Sequence, residues 1–138
     1  MFREDFVWGV ASSAYQVEGT DAADGRGACV WDMFAADGRV FEHQNADTSC
    51  DHMHHYKEDI ALMRHLGIRA YRFSLNWARI LPEGTGRVTE KAIAMDRDMI
   101  LTMKENGITP YLTLFHWEFP QALYERGGWQ NPDVVQWF

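Results

Sequence analysis

An α/β fold made of strand–helix units, of the kind that closes into a (β/α)8 barrel when eight are present, is predicted here by three observations. Short runs of β-forming apolar residues alternate with segments whose apolar residues recur every three or four positions. The pattern G-I-x-x-Y-x-x-x-x-x-W occurs at Gly67, Ile68, Tyr71, Trp77 and again, forty residues later, at Gly107, Ile108, Tyr111, Trp117, so two helix–strand units are alike. Tyr111 to Phe115 is continuous and mostly apolar, which suits a strand buried on both faces, as in a parallel sheet covered by helices. A barrel needs eight strands and roughly 250 residues, and the 138 residues here carry three strands. The chain is therefore expected to be a single incomplete domain, residues 1–138, holding about three units of the amino-terminal part of such a barrel.

In order, Phe6 to Ala11 reads as the first strand, S-S-A-Y-Q-V-E-G as loop, and Asp24 to Gly27 as a turn. Val30 to Phe34 reads as one helical turn, and the polar stretch onward to Asp51 as loop. From His52 to Leu66, Met53, Tyr56, Ile60, Met63 and Leu66 share a helix face, and Gly67 ends it as a left-handed cap. Ile68 to Leu75 is the second strand, with Tyr71, Phe73 and Leu75 on one face and Ala70, Arg72 and Ser74 on the other. Arg72 is expected to point into an interior, where an unpaired charge costs several kcal/mol, so an acidic partner is expected for it. Thr89 is placed to cap a helix running to about Asn106, with Ala92, Met95, Met99 and Met103 as its core stripe. Pro120 to Arg126 reads as a short helix ended by Gly127-Gly128. Asn131-Pro132-Asp133 signals one more helix by cap, first-turn proline and acidic residue.

Composition narrows the function classes. The chain is 46% hydrophobic and 24% charged, ordinary for a globular protein with one modest core. A net charge of -7 argues against nucleic acid or an anionic membrane as partner. The start, M-F-R-E-D-F-V-W-G, lacks the apolar stretch of a signal peptide, and no window is long enough to span a bilayer; a cytoplasmic protein is expected. Cys29 and Cys50 are expected to be free thiols. Six Trp and 14% aromatics favour a planar or carbohydrate ligand, though aromatics also simply fill cores.

The strongest chemical signal is where Tyr111 to Phe115 stops. His116 and Trp117 fall where strand becomes loop, the edge at which parallel α/β folds gather their ligand-binding groups. A flat indole stacks on a sugar's C–H face while an imidazole bonds its hydroxyls; core residues capping a strand would read the same. By the repeat, Asn76 holds the place of His116 in its own unit, so the two are expected side by side at one rim, with Gln16 and the Arg72 side chain at the same sheet end.

The stretches F-V-W-G-V-A-S-S-A-Y-Q-V-E-G, D-G-R-G-A-C-V-W-D-M-F, Y-K-E-D-I-A-L-M, Y-R-F-S-L-N-W-A-R-I-L-P-E-G and F-H-W-E-F-P-Q-A-L resemble glycoside hydrolase family 1, the β-glucosidases and relatives, in that family's order and spacing. The resemblance implies a (β/α)8 barrel hydrolysing terminal β-linked sugars with retention, on small-molecule β-glycosides or oligosaccharides, with no cofactor and no metal. It implies two catalytic glutamates, one in a T-x-N-E-P motif after the fourth strand and one in a T-E-N-G motif after the seventh, and neither motif stands in its place here. Glu105-Asn106-Gly107 spells part of the second, but it ends an amphipathic helix rather than a strand, so Glu105 is expected on a helix surface. By the same resemblance Gln16, His116 and Trp117 are substrate-binding, Gln16 offering both donor and acceptor to adjacent hydroxyls. Arg72 matches the arginine that bonds the nucleophile, which would supply its acidic partner and keep that carboxylate ionised. Departures are Glu118 for the usual aspartate, Phe119 for leucine, Met53 for tyrosine, His55 for arginine, and Ala94 to Asp96 for a D-F-Y run. The first two lie beside the site and bear on aglycone preference; the others bear on helix packing. Ala14-Tyr15-Gln16 looks like the glucosidase branch rather than the 6-phospho-β-glycosidase branch.

Other readings are a non-catalytic sugar-binding homologue and, from a different class, a metal hydrolase using His52, His54, His55 and Asp51. The second lacks a third ligand at any established spacing. The chain alone, without the two glutamates, is expected to be inactive and not stably monomeric.

Overall fold

A computed structural model describes residues 2–20 and 25–138; Asp24 of the expected turn lies outside them, and Gly25 within it has φ +77°. Three parallel strands, β1 (Gly9–Ala11), β2 (Ala70–Ser74) and β3 (Thr109–Thr113), form a sheet in chain order. Gly9 pairs with Ala70, and Ala70 with Thr109. Because all three run the same way, their carboxyl ends share one edge, and the helices of the long crossovers must cover a face.

The helices are α1 (Ala14–Val17), α2 (Val30–Ala36), α3 (His52–His65), α4 (Trp77–Ile80), α5 (Glu90–Glu105), α6 (Gln121–Tyr124) and α7 (Val134–Trp137), with 3-10 turns at Phe41–His43 and Gly128–Gln130. The two long ones cover one face of the sheet. Tyr56 and Ile60 from α3, Met99 and Met103 from α5, Tyr71 and Phe73 from β2, and Ile108 make the main core. Each such side chain, fully buried, contributes about 1.5 to 3 kcal/mol. Gly67 and Gly107 end α3 and α5 in the left-handed conformation, φ +78° and +71°, as the glycine positions predict. A second cluster, Trp77, Phe119, Leu123 and Trp137, lies beyond the carboxyl ends of β2 and β3. The Trp77 indole N–H donates to the Gly84 carbonyl at 2.9 Å. A Cβ on Gly84 would lie 2.3 Å from Leu123 Cγ, so this close approach requires glycine. Among the described residues no helix is long and apolar enough to cross a membrane.

Several expected elements differ. The first strand begins at Gly9, not Phe6: Phe6 and Trp8 stack with Phe2 in an exposed aromatic cluster instead of joining the sheet. S-S-A-Y-Q-V-E-G contains helix α1, because side chains from β2 and the β3 loop take the N–H groups that so short a segment could not satisfy alone. The Val30 turn continues through Ala35 and Ala36, good helix formers, from a capping box in which Asp32 accepts the Cys29 N–H at 2.7 Å. Thr89 stands at the N-cap of α5, but its hydroxyl makes no cap bond. The helix after Asn131 starts two residues later than Pro132, with the Asn131 side chain accepting the Asp133 N–H. The third strand spans Thr109–Thr113 and is not buried on both faces: Tyr111 and Leu112 are 49% and 42% exposed. Among the described residues it is an edge strand, with no strand pairing beyond it.

Beneath the strand ends lies a buried charge cluster. Glu18 Oε2 accepts from Asn76 Nδ2 at 3.1 Å and from Arg79 Nε at 3.3 Å. Burial outweighs both and holds the Glu18 carboxyl above the usual carboxylate range. Asp96 on α5, in the stretch where the resemblance leads one to expect D-F-Y, is buried nearby. Burial, then the Glu18 charge, push it up from 3.8 to about 7, against the Arg79 charge. A group whose folded pKa is raised favours the folded state at low pH, and that advantage is lost as pH rises from about 4 through 7. Asp96→Asn is therefore expected to stabilise the fold at pH 8 by on the order of 2 kcal/mol, with little effect at pH 4; urea midpoints at the two values check it, and equal shifts would contradict it.

Candidate functional site

The site starts from α1, which follows the carboxyl end of β1. Ala14 N–H donates to Ser74 Oγ at the end of β2, 2.8 Å, and Tyr15 N–H to Glu118 Oε1 in the loop after β3, also 2.8 Å. Ser49 Oγ donates to the Gln16 carbonyl. A four-residue helix has no stability of its own, so these contacts hold Gln16 in place. Ser13 at the N-cap makes no cap bond; its hydroxyl donates to Gln16 Oε1 at 2.7 Å.

On the other side the chain leaves β3 and reverses at Trp117, whose φ is +76°, with Phe119 N–H donating to the Trp117 carbonyl. Left-handed backbone at a tryptophan is costly and leaves the indole 68% exposed at the rim. Gln16, His116, Trp117, Tyr15, Trp31 and Asn45 line a cleft of about 460 Å³. Glu118 is the one carboxylate among its described lining residues, and it is 1% exposed. Burial pushes its pKa up, opposed by the N–H groups of Tyr15, Glu118 itself and His116. Tyr15, raised to about 12 by burial and then by the Asp32 charge, keeps its proton.

Arg72 departs from expectation. It makes no ion pair among the described residues: Nε donates to Thr113 Oγ1 at 2.8 Å, and Nη2 bonds His116 Nδ1 at 3.0 Å. Guanidinium only donates, so Nδ1 is the acceptor and the imidazole proton sits on Nε2. Partial burial, then the Arg72 charge, lower the His116 pKa, so His116 is a neutral ring with an N–H to offer.

Of the residues singled out from sequence, Gln16, His116 and Trp117 meet in one cleft and Arg72 touches His116. Asn76 sits at the same sheet end but not at the rim beside His116: it is 2% exposed, spent on Glu18 and on capping α4. Sequence reasoning missed Ser13, Tyr15 and Trp31 as parts of the site, and placed Glu118 beside it rather than in its lining. The signal for Trp31 was V-W-D-M-F, where the Asp32 capping box turns the indole toward Tyr15, ring centroids 6.1 Å apart. Glu105 is exposed at the end of α5, as expected. Cys29 and Cys50 are free. His52, His54 and His55 each bond a carboxylate, Asp59, Asp51 and Glu58 respectively, and no group of three potential metal ligands occurs among the described residues.

Fold and cleft together define three strand–helix units of a (β/α)8 barrel with its site at the strand carboxyl ends. The family model of glycosyl hydrolase family 1 matches residues 1–138. The chain is 47% identical to β-glucosidase A of Thermotoga maritima and 44% to β-glucosidase A of Acetivibrio thermocellus, over 99% of its own length and 31% of theirs. The solved structure of the family 1 β-glucosidase from Thermotoga maritima superposes with a TM-score of 0.94, over 99% of this chain and 32% of that one. A further structure of that enzyme, in complex with deoxynojirimycin, matches with the same TM-score of 0.94. The chain belongs to glycosyl hydrolase family 1 and spans about a third of the length of the curated relatives it matches.

Replacing Arg72 by Met is expected to raise the His116 pKa toward its ordinary 6.5, because the cation that opposes protonation is gone. Imidazole NMR titration reads it directly; an unchanged or lower value would mean that Arg72 does not set the ring's charge.

Proposed function

We propose that the chain supplies the sugar-gripping part of a retaining β-glycosidase, in the first place a β-glucosidase, acting on terminal β-linked sugars of small β-glycosides. Gln16 and His116 hydrogen-bond the sugar's hydroxyls, Trp117 stacks on its C–H face, and Arg72 supports the nucleophilic carboxylate. The observation that carries this reading is the convergence of an amide, an imidazole N–H and an exposed indole, from two different strand ends, on one cleft. The β-glucosidase names of the relatives and the sugar-like inhibitor bound by the Thermotoga maritima enzyme support it.

Catalysis needs more than this chain. Retaining hydrolysis takes two carboxyl groups roughly 5 Å apart, one protonating the leaving oxygen and one attacking. Among its described lining residues the cleft has one carboxylate, Glu118, buried and with Oε1 accepting the Tyr15 N–H, where the reaction needs two. The free edge of β3, with Tyr111, Leu112 and Leu114 exposed, also favours association of the isolated chain.

Residues 1–138 alone are expected not to hydrolyse an aryl β-glucoside, whereas a chimaera in which they replace the matching third of the Thermotoga maritima β-glucosidase A is expected to do so. Comparable rates from the two would refute the need for downstream carboxylates, and an inactive, well-folded chimaera would count against the glycosidase reading.

In that chimaera His116→Ala is expected to lower kcat/KM by about 10- to 100-fold, the loss of roughly 1 to 3 kcal/mol of hydrogen bonding, with little change in melting temperature. A large drop in melting temperature with unchanged turnover per folded molecule would make His116 a core residue instead.

A further inference from the structure

We propose that Ser13 is a positioning residue of the sugar site: its buried hydroxyl tethers the Gln16 carboxamide, so that the amide of an otherwise exposed side chain is held at the cleft for adjacent hydroxyls of a neutral sugar. The inference rests on the sugar-binding reading above and adds to it the residue that holds the amide in place.

A glutamine side chain turns about three bonds, and ordering it on binding costs affinity. Gln16 stands exposed on a four-residue helix. Ser13 restrains it. Its side chain is 1% exposed, so water does not compete for the hydroxyl, and its one hydrogen bond among the described residues runs to Gln16 Oε1 at 2.7 Å.

The hydroxyl is free for this because the work of an N-cap serine is done by others. Such a serine ordinarily accepts the N–H two or three residues on. Here Ala14 N–H goes to Ser74, Tyr15 N–H to Glu118, and Gln16 N–H to the Ser13 carbonyl at 3.1 Å. One lone pair of Oε1 is then occupied by Ser13, and the other lone pair and both N–H groups of Gln16 remain for ligand. Across the cleft Arg72 bonds His116 Nδ1. Both polar grips of the site are therefore held by a neighbouring side chain.

A double-mutant cycle in the chimaera tests the link. Ser13→Ala, Gln16→Ala and the double variant are compared by kcat/KM on an aryl β-glucoside and by inhibition with deoxynojirimycin. Ser13→Ala is expected to weaken both by about tenfold in the Gln16 background, the scale of one hydrogen bond, and by less than about twofold once residue 16 is alanine. Equal losses in the two backgrounds would show that Ser13 acts on the fold and overturn the proposal; so would no loss from Ser13→Ala in the presence of Gln16. A wild-type protein that neither binds the inhibitor nor hydrolyses the glycoside sinks the sugar-binding reading instead. The Ser13 link is then read without sugar, from the side-chain amide resonances of Gln16: a single ordered environment is expected in the wild type and an averaged one in Ser13→Ala. Identical spectra would overturn it.

Discussion

The site depends on the anchoring of a helix too short to exist alone. Ala14 and Tyr15 give their N–H groups to Ser74 and Glu118, and Glu18, just past the helix, is clamped by Asn76 and Arg79. Each partner comes from the carboxyl end of β2, from α4 just after it, or from the loop after β3. Parallel pairing brings those ends together, and the hydrogen bonds turn that proximity into fixed positions for Gln16, His116 and Trp117.

Charge is managed by the same economy. Behind His116 stands the Arg72 cation, whose donor contacts go to neutral acceptors, Thr113 and His116. This orders the imidazole proton and leaves the guanidinium half-buried without a carboxylate partner among the described residues. Deeper in, Glu18 and Asp96 lie near the buried Arg79, and for both carboxyls desolvation exceeds the attraction. The cluster ties α1 to α4 at an electrostatic cost that the surrounding core offsets.

Among the described residues the sheet ends at β3. Tyr111 and Leu112 carry the residue types of an interior strand yet stand exposed, and the apolar groove between α5 and β3, walled by Ile93, Ile100, Leu101 and Leu112, continues that face. Such a surface agrees with a chain that spans about a third of its relatives: strand propensity reports what a segment is suited to, and burial reports whether its neighbours are there.

Much of this was legible in the residues themselves. The period-3.6 stripes of α3 and α5, their glycine stops at Gly67 and Gly107, and the alternation of Tyr71 and Phe73 with Arg72 and Ser74 follow from local stereochemistry and from the need to bury one face, and the forty-residue repeat announced parallel units with their chemistry at one end. The sequence by itself thus determined the order of the three strands, the two long helices and the gathering of Gln16, His116 and Trp117. Only the tertiary structure decided that S-S-A-Y-Q is helical, that Asn76 turns inward while His116 faces the cleft, that Arg72 meets His116 rather than an acid, and that Ser13 bonds the Gln16 amide. Apart from the Ser13 contact, those outcomes rest on hydrogen bonds between residues 44 to 103 positions apart, such as Arg72 with His116, Ala14 with Ser74 and Tyr15 with Glu118. Local pattern carries no information about partners at that separation until the strands have paired.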